Sequence, residues 1–339
     1  MEFVLLVISF AIILTGALLF TNAVEWLGHK LNLGEGAVGS LLAAVGTAMP
    51  ETLIPIVAII GGTVGAAGEQ NAEVAIGAIV GAPFLLATVA MALVGLSALA
   101  YADRRPQGHR LKVHVETLDR DLAFFMIFFG LAFLIGVFDT PKWLEITAGA
   151  VFLLAYAWYV RETIRNGGDS QESHEMDPLI MDRRGERNGS QPPNFIMVTQ
   201  LLLGLGAMVG GAHLFVEELL HVAENLGVSA IVLSLILAPL ATELPEKANS
   251  FFWVREGKDA LALGNITGAM VFQSTIPVFF GMVFIDWDLD HFAAASMILG
   301  LLGGVVAYWA LRRKSEFGKV AIALWVLLYL AFLGIVVLS

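Results

Sequence analysis

Two short segments of the chain carry the same pattern of a hydroxyl, a proline and a carboxylate. One runs from Gly46 to Glu51 and reads Gly-Thr-Ala-Met-Pro-Glu, and the other runs from Ala241 to Glu246 and reads Ala-Thr-Glu-Leu-Pro-Glu. In each segment the threonine precedes the last glutamate by four residues, which places both side chains on one face of a helix. Proline has no N–H and leaves the carbonyl four residues before it without a helical partner. The segments therefore offer carboxylate, hydroxyl and carbonyl oxygens together, which is the mixture that hard cations such as Ca²⁺ bind.

These oxygens predict a cation site shared by the two segments. Pro50 and Pro245 are expected to kink their helices and to free nearby carbonyl groups for a cation. A carboxylate inside a membrane helix is a functional hypothesis by default, because an unpaired charge in hydrocarbon is costly. Each candidate ligand has a carbonyl, hydroxyl or carboxylate oxygen close to one of the two prolines. These residues are Gly46, Thr47, Glu51, Ala241, Thr242, Glu243 and Glu246.

The composition predicts that these segments lie in a bilayer. The chain has 339 residues, of which 58% are hydrophobic and 14% charged, against roughly 45–50% and 25% in a soluble domain. A membrane-spanning helix needs about 20 mostly apolar residues. Ten stretches meet that requirement: 3–27, 36–61, 74–101, 121–138, 142–162, 195–219, 228–253, 259–284, 291–312 and 318–338.

A hydrophilic stretch divides the ten predicted spans into two groups of five. We predict a first five-helix repeat at 1–162, a cytoplasmic linker at 163–194 that acts as a plain flexible connector, and a second five-helix repeat at 195–339. Because five is an odd number, the second repeat is turned over in the membrane, as in many secondary transporters. The predicted fold class is an all-α integral membrane protein with ten transmembrane helices in two inverted five-helix repeats.

Basic residues predict the orientation in the inner membrane, because lysine and arginine accumulate in cytoplasmic loops. Loops after odd-numbered spans hold 17 of the 19 basic residues, which places both termini outside the cytoplasm. Cysteine is absent, so thiol chemistry is excluded, and no arrangement typical of a hydrolase appears. We therefore expect no enzyme activity and no cofactor. The expected partners are inorganic cations and the lipid bilayer, without nucleic acid, and a monomer is sufficient for this function.

The two segments, with the Gly-x-x-x-Gly segments that follow them at 77–81 and 264–268, resemble the alpha-repeats of the cation/calcium exchanger superfamily. The pattern of that family is Gly-Thr-Ser-x-Pro-Glu followed by Gly-Asn-x-x-Gly-Ser-Asn. The resemblance implies that Glu51 and Glu246 are paired central carboxylates, and that Thr47 and Thr242 contribute backbone and hydroxyl oxygens. It also implies secondary antiport of a divalent cation, with Ca²⁺ first, against H⁺ or Na⁺, by alternating access at a midplane site.

The same comparison shows where this chain departs from the family pattern. Alanine or leucine replaces polar family residues at Ala48, Ala82, Leu86 and Ala269. In the second repeat Asn265 is retained, and Gln273 stands where a ligating Asn or Asp is expected, so both are further candidate ligands. Fewer neutral oxygens predict fewer sodium sites, which favours exchange against protons or very few sodium ions.

Two questions stay open at the level of the sequence. Glu243 stands where the family has serine, and Lys247 follows it by one helical turn. The two form either a neutralising ion pair, or an additional proton or cation site from which Lys247 moves. Other functions also fit this pattern, namely exchange of Mg²⁺ or a monovalent cation for H⁺, or a non-transporting membrane sensor or channel on the same scaffold.

Overall fold

The computed structural model describes most of the chain, and all regular structure in the described residues is helical. The described residues are 2–30, 48–62, 68–105, 108–113, 115–138, 140–166, 178–182, 191–314 and 317–338, without the side chains of 164, 166, 244–246, 248, 313 and 314. The α-helices are α1 Glu2–Lys30, α2 Met49–Gly62, α3 Gly68–Leu85, α4 Met91–Ala100, α5 Val115–Val137, α6 Lys142–Asn166, α7 Asn194–Leu226, α8 Ala230–Arg255, α9 Asp259–Gln273, α10 Ile276–Phe284, α11 His291–Lys314 and α12 Lys319–Leu338.

The helices agree with the predicted membrane spans. Eight helical stretches of the described residues are long and apolar enough to cross a bilayer. Two shorter apolar stretches of helix, Met49–Gly62 and Ala230–Glu243, overlap the second and seventh predicted spans. The prediction of an all-α membrane fold is confirmed, while the count of ten spans stays a prediction.

The chain forms two compact units. The first contains Met1–Val57 and Ala157–Val222, and the second contains Ala58–Tyr156 and Ala223–Ser339. Each unit therefore takes residues from both sides of the hydrophilic stretch. The predicted division into repeats and linker concerns the order of the spans along the chain, and it stays a prediction.

In the first unit, α1 and α7 approach each other closely at glycines. A Cβ added at Gly16 would lie 2.8 Å from the carbonyl oxygen of Gly204, and one added at Gly204 would lie 2.7 Å from the backbone nitrogen of Phe20. Further along the pair, the rings of Phe10 and Phe215 lie 4.9 Å apart. Without a hydrophobic driving force between helices in lipid, close backbone approach at small residues stabilises such a pair.

A piece of the hydrophilic stretch packs against this helix pair. Leu179 is buried together with residues of α1 and α7. The backbone N–H of Met181 donates to the side-chain oxygen of Gln200 at 2.9 Å, and Gln200 Nε2 donates to Asn22 Oδ1 at 2.8 Å. Residues 178–182 thus differ from the flexible connector expected there, because buried amide groups hold them in place.

In the second unit, glycines bring α3 and α8 into backbone contact. A Cβ added at Gly77 would lie 2.7 Å from the carbonyl oxygen of Ile231, and one added at Gly81 would lie 2.5 Å from that of Leu235. No side chain other than hydrogen fits at either position, since real Cβ contacts are longer. The segment 77–81 therefore packs one helix against another, which is the structural role that Gly-x-x-x-Gly has in many membrane proteins.

The corresponding glycines of the second repeat have a different environment. At Gly264 and Gly268 of α9, no atom of the described residues lies within 4 Å of an added Cβ, apart from chain neighbours and the nearby backbone of α9 itself. The close approach that the repeated pattern predicts is therefore present around 77–81 and not seen within the described residues around 264–268.

This difference gives a matched pair of substitutions. Gly81→Ala is expected to lower the thermal stability of the purified protein by about 1–3 kcal/mol, the usual cost of overpacking, because the new methyl group meets backbone rather than a movable side chain. Gly268→Ala gains the same helix propensity and meets no neighbouring helix among the described residues, so its melting temperature should be equal to or above that of the wild type. Equal melting temperatures for the two variants would contradict the close contact of α3 and α8.

The helical irregularities lie at related places in the two repeats. A π-helical turn, Leu86–Ala90, separates α3 from α4, and Ser274 and Thr275 separate α9 from α10. The first interruption begins at Leu86 and the second directly follows Gln273, the two positions that correspond in the repeats. The predicted spans 74–101 and 259–284 are thus interrupted rather than regular. Interrupted helices at corresponding positions are typical of binding regions in inverted-repeat transporters.

Candidate functional site

The first repeated segment places its glutamate at the start of a described helix. Glu51 lies in the first turn of α2 and belongs to the first unit, with only 6% of its surface exposed. Pro50 lies in the same turn, where the missing N–H of proline costs little. Thr52 Oγ1 donates to the Ala48 carbonyl at 2.8 Å. The candidate ligands Gly46 and Thr47 lie outside the described residues.

The second repeated segment lies inside a long helix. α8 runs without interruption from Ala230 to Arg255, so Pro245 does not end it. Proline at 245 cannot donate to the carbonyl of Ala241, and this oxygen lacks the usual helical donor. Thr242 is buried, and its Oγ1 donates to the carbonyl of Ala238 at 3.1 Å. A threonine that donates to its own helix still has lone pairs available for a cation.

A buried charged pair occupies the same turn of α8. The ammonium nitrogen of Lys247 lies 3.5 Å from Glu243 Oε2, and both side chains are at least 98% buried. Gln273, at the end of α9, donates from Nε2 to Glu243 Oε1 at 3.2 Å. Each carboxylate oxygen of Glu243 therefore faces a donor from the second unit, one cationic and one neutral.

Burial makes this pair consequential for the protein. Taking two charges out of water costs several kcal/mol per ion, and their attraction offsets this cost only when the geometry and hydrogen bonds are good. The distance of 3.5 Å between the Lys247 nitrogen and Glu243 Oε2 is longer than that of an ordinary charge-assisted hydrogen bond. Glu243 is therefore held by electrostatic attraction and by the Gln273 amide, rather than by one short bond.

The remaining candidate ligands are only partly located. The side chain of Glu246 lies outside the described part of α8, and Asn265 is half-buried in α9. Among the described side chains, no group of three or more histidine, cysteine, aspartate or glutamate residues is arranged to hold a metal ion. Of the nine candidate ligands, the structure brings Glu243 and Gln273 into direct contact, and the convergence of the full set stays a prediction.

A further buried carboxylate is not among the candidate ligands that the sequence predicts. Asp121 of α5 is 2% exposed and accepts a hydrogen bond from Thr267 Oγ1 of α9 at 2.8 Å. Arg120 also contacts Asp121, at 3.2 Å. Thr267 lies inside the 264–268 segment, so the buried carboxylate fixes one face of the helix that carries two candidate ligands. The signal was present, since Asp121 opens the fourth predicted span and charged residues inside spans are rarely incidental.

A fully buried ion pair holds the beginning of the same helix. Arg105 Nη2 donates to Asp259 Oδ1 at 2.6 Å and to Oδ2 at 2.7 Å, and neither side chain has exposed surface. The backbone N–H of Lys112 also donates to Asp259 Oδ2, at 2.8 Å. Asp259 lies in the first turn of α9, where a negative charge is favourable. The segment before α5 is thus fastened to the N-terminus of α9.

Comparison with known proteins matches the chain to a family of exchangers. The family model described as sodium/calcium exchanger protein matches residues 1–163 and 196–338. A putative antiporter, CaxA of Alkalimonas amylolytica, is 22% identical over 316 residues and covers 93% of this chain and 91% of its own. The sodium/calcium exchanger MaX1 of Methanosarcina acetivorans is 25% identical over 301 residues, with 80% of this chain and 79% of its own covered.

A solved structure shows the same fold. The crystal structure of an H⁺/Ca²⁺ exchanger, CAX, superposes with a TM-score of 0.71 at 18% sequence identity. The match covers 98% of this chain and 82% of the other. Because the identity is low, this likeness carries the fold and leaves the transported ions to be argued from this chain's own residues.

Proposed function

The chain belongs to the sodium/calcium exchanger family, and from that premise we propose that it is a secondary active antiporter that exchanges a divalent cation, Ca²⁺ first, for H⁺ or a small number of Na⁺ ions. Transport proceeds by alternating access, in which a loaded site is exposed to one side of the membrane at a time. No covalent step and no cofactor is required. The bound and released cations are the substrates.

One observation carries this proposal. A Thr-x-x-Pro-Glu segment occurs once in each half of the chain, and its first copy places Glu51 in an apolar helix with almost no exposed surface. Carboxylates inside membrane helices are rare and typically mark ion pathways. Two such segments, in a chain that matches a family of exchangers, support a site for a transported cation.

We propose the following division of roles among the candidate ligands. Glu51 and Glu246 supply the charges that bind the divalent ion. Neutral oxygens complete the coordination, because Ca²⁺ takes six to eight oxygen ligands. They come from the carbonyls of Gly46 and Ala241 and the side chains of Thr47, Thr242, Asn265 and Gln273, while Glu243 adds a third carboxylate.

The coupling ion follows from the count of neutral oxygens. A site that holds several sodium ions at once needs many neutral ligands around its carboxylates. Here apolar residues stand at Ala48, Ala82, Leu86 and Ala269, where the family pattern has polar ones. Buried carboxylates bind protons more readily than exposed ones, so protons are the counter-ions that such a depleted site can still accept.

Flux in proteoliposomes tests the proposed function. Purified protein is reconstituted with an internal pH dye and loaded with Ca²⁺, and gradients of Na⁺, H⁺ and Mg²⁺ are then imposed one at a time. We expect Ca²⁺ efflux driven by an inward proton gradient, with acidification of the lumen. Steep dependence on sodium, with a Hill coefficient of about two or more and no proton movement, would disprove proton coupling. Movement of Mg²⁺ or a monovalent cation without Ca²⁺ would change the substrate, and absence of all flux would favour a sensor.

The inner-membrane orientation is proposed from the basic residues and has a separate test. Because the chain contains no cysteine, Ser170→Cys introduces a single thiol into the hydrophilic stretch. A membrane-impermeant maleimide should label it only in inside-out vesicles. Asp286→Cys, in a loop predicted on the other side, is the matched control and should be labelled in intact cells. Reversal of the two results would place both termini in the cytoplasm.

A further inference from the structure

We propose that Lys247 is a tethered cation that occupies one cation position of the exchange site, at Glu243, and thereby removes the need for a mobile monovalent ion there. The inference deepens the proposed function, on which it rests in treating Glu243 as part of a cation-binding segment. Lys247 is then a specificity-determining residue. It reduces the number of mobile cations bound during one transport cycle.

The contacts of Glu243 are those of an occupied cation position. The ammonium of Lys247 lies 3.5 Å from Oε2, and the amide of Gln273 donates to Oε1 at 3.2 Å. The donors come from two helices, α8 and α9, which meet in the second unit. Lys247 is among the largest fully buried side chains of the described residues, so its charge is not shared with water.

The position of the pair in the sequence argues against a purely structural pair. Glu243 lies between Thr242 and Pro245 inside the repeated segment, and the equivalent position of the first repeat is Ala48. Only the second repeat has gained a carboxylate, and it has gained a lysine one turn later. An added negative charge at this depth needs a positive partner. The chain carries that partner covalently, whereas a serine or alanine at 243 would need none.

The chemistry of lysine fits this role better than that of arginine. The ammonium is a compact point charge with three donors on a flexible stem, whereas guanidinium is a planar fork that pairs with both oxygens of a carboxylate. Here the ammonium reaches Oε2 and leaves Oε1 to Gln273. A compact charge at one oxygen is the geometry of a bound monovalent ion. Because it is tethered, no ion from solution has to bind in order to neutralise Glu243.

The substitution Lys247→Met tests the proposal without any transport assay. Methionine keeps the length of the side chain and removes the charge, which leaves Glu243 in need of a counter-ion. Thermal unfolding of the purified full-length variant is measured in NaCl and in choline chloride at the same ionic strength and pH. We expect a saturable rise in melting temperature of about 5 °C in NaCl over choline chloride, because a ligand that binds only the folded state stabilises it.

Three control proteins define the result. The wild type and Lys247→Arg keep the tethered charge, and the double variant Glu243→Gln, Lys247→Met removes both charges, so none of them gains a sodium position at Glu243. Each should show a smaller difference in melting temperature between the two salts than Lys247→Met does. If Lys247→Met melts at the same temperature in both salts, the proposal is overturned. If folded Lys247→Met can be purified in NaCl but not in choline chloride, the proposal is supported. If folded protein is lost equally in both salts, the proposal is overturned, since sodium then cannot replace the ammonium.

The flux assay keeps this inference separate from the proposed function. Wild-type Ca²⁺ transport with no sodium-specific stabilisation of Lys247→Met would leave the proposed function standing and remove the tethered cation. Sodium-specific stabilisation of that variant with no Ca²⁺ transport by the wild type would do the reverse. When both results are positive, Ca²⁺ flux through Lys247→Met should acquire a dependence on Na⁺ that the wild type lacks.

Discussion

Replacing either repeated glutamate by glutamine, as Glu51→Gln or Glu246→Gln, is expected to abolish divalent-cation transport while the protein still folds. The amide keeps the volume of the side chain and its ability to accept hydrogen bonds, and it removes the charge. A group that merely orients a metal ligand is typically worth 10- to 100-fold in affinity or activity, so loss of a charged ligand should lower Ca²⁺ flux by at least about 100-fold.

The experiment requires evidence of folding and a matched carboxylate. Each variant is purified as a monodisperse protein, and its melting temperature is compared with that of the wild type before flux is measured. Glu224→Gln, at an exposed position near the end of α7, removes the same charge outside the repeated segments and should transport normally. Wild-type flux in a well-folded Glu51→Gln or Glu246→Gln protein would remove that glutamate from the mechanism.

The membrane helices could be predicted from the sequence because the bilayer imposes their length. The first predicted span, 3–27, corresponds to Glu2–Lys30, and the last, 318–338, corresponds to Lys319–Leu338. Both are continuous apolar stretches bounded by polar residues, and hydropathy alone detects such stretches. The ends shift by up to three residues, because helices continue into the polar layer as long as their hydrogen bonds are satisfied.

The interruptions could not be predicted in this way. Residues 86–90 are apolar apart from Thr88, and Ser274 and Thr275 are neutral, so hydropathy hardly changes where the helix becomes irregular. The Thr88 hydroxyl donates to the carbonyl of Phe84 at 2.6 Å. Such a bond can satisfy backbone groups that the irregular turn releases. Local composition does not reveal such side-chain hydrogen bonds to the backbone. The two interruptions are related only by the alignment of the two repeats.

The candidate site shows the same limit for side chains. Helical spacing makes an ion pair between Glu243 and Lys247 one of two alternatives that the sequence leaves open, whereas the bond from Gln273 joins residues 30 positions apart. Likewise the two Gly-x-x-x-Gly segments are alike in sequence, yet the glycines of 77–81 pack against α8, whereas a Cβ added at Gly264 or Gly268 meets no neighbouring atom of the described residues. A Gly-x-x-x-Gly motif shows that another helix can pack closely against the backbone. The tertiary structure decides which helix, if any, does so.

The long-range ion pair between Arg105 and Asp259 was invisible to the sequence analysis for this reason. The two residues are 154 positions apart. Arg105 lies in a predicted cytoplasmic loop, and Asp259 is the first residue of the eighth predicted span. In the structure they are fully buried and hold the beginning of α9, the helix that carries Asn265 and Gln273. The ion pair therefore affects both the stability of the protein and the candidate site, since a shift of α9 would displace Asn265 and Gln273.

Breaking this pair on one side should destabilise the protein strongly. Asp259→Asn leaves the guanidinium of Arg105 buried without a charged partner, and loss of one member of a buried pair costs about 3–5 kcal/mol. Asp119→Asn is the matched control, because it breaks the Arg312 ion pair at 2.9 Å whose side chains are 56% and 26% exposed. Exposed pairs contribute about 0–1 kcal/mol, so that variant should melt close to the wild type.

The double variant Arg105→Met, Asp259→Leu removes both charges and should recover most of the loss, since apolar residues often replace a buried pair without cost. Thermal unfolding of the three purified variants distinguishes these expectations. A melting temperature for Asp259→Asn as high as that for Asp119→Asn would show that the pair is solvated and does not hold α9.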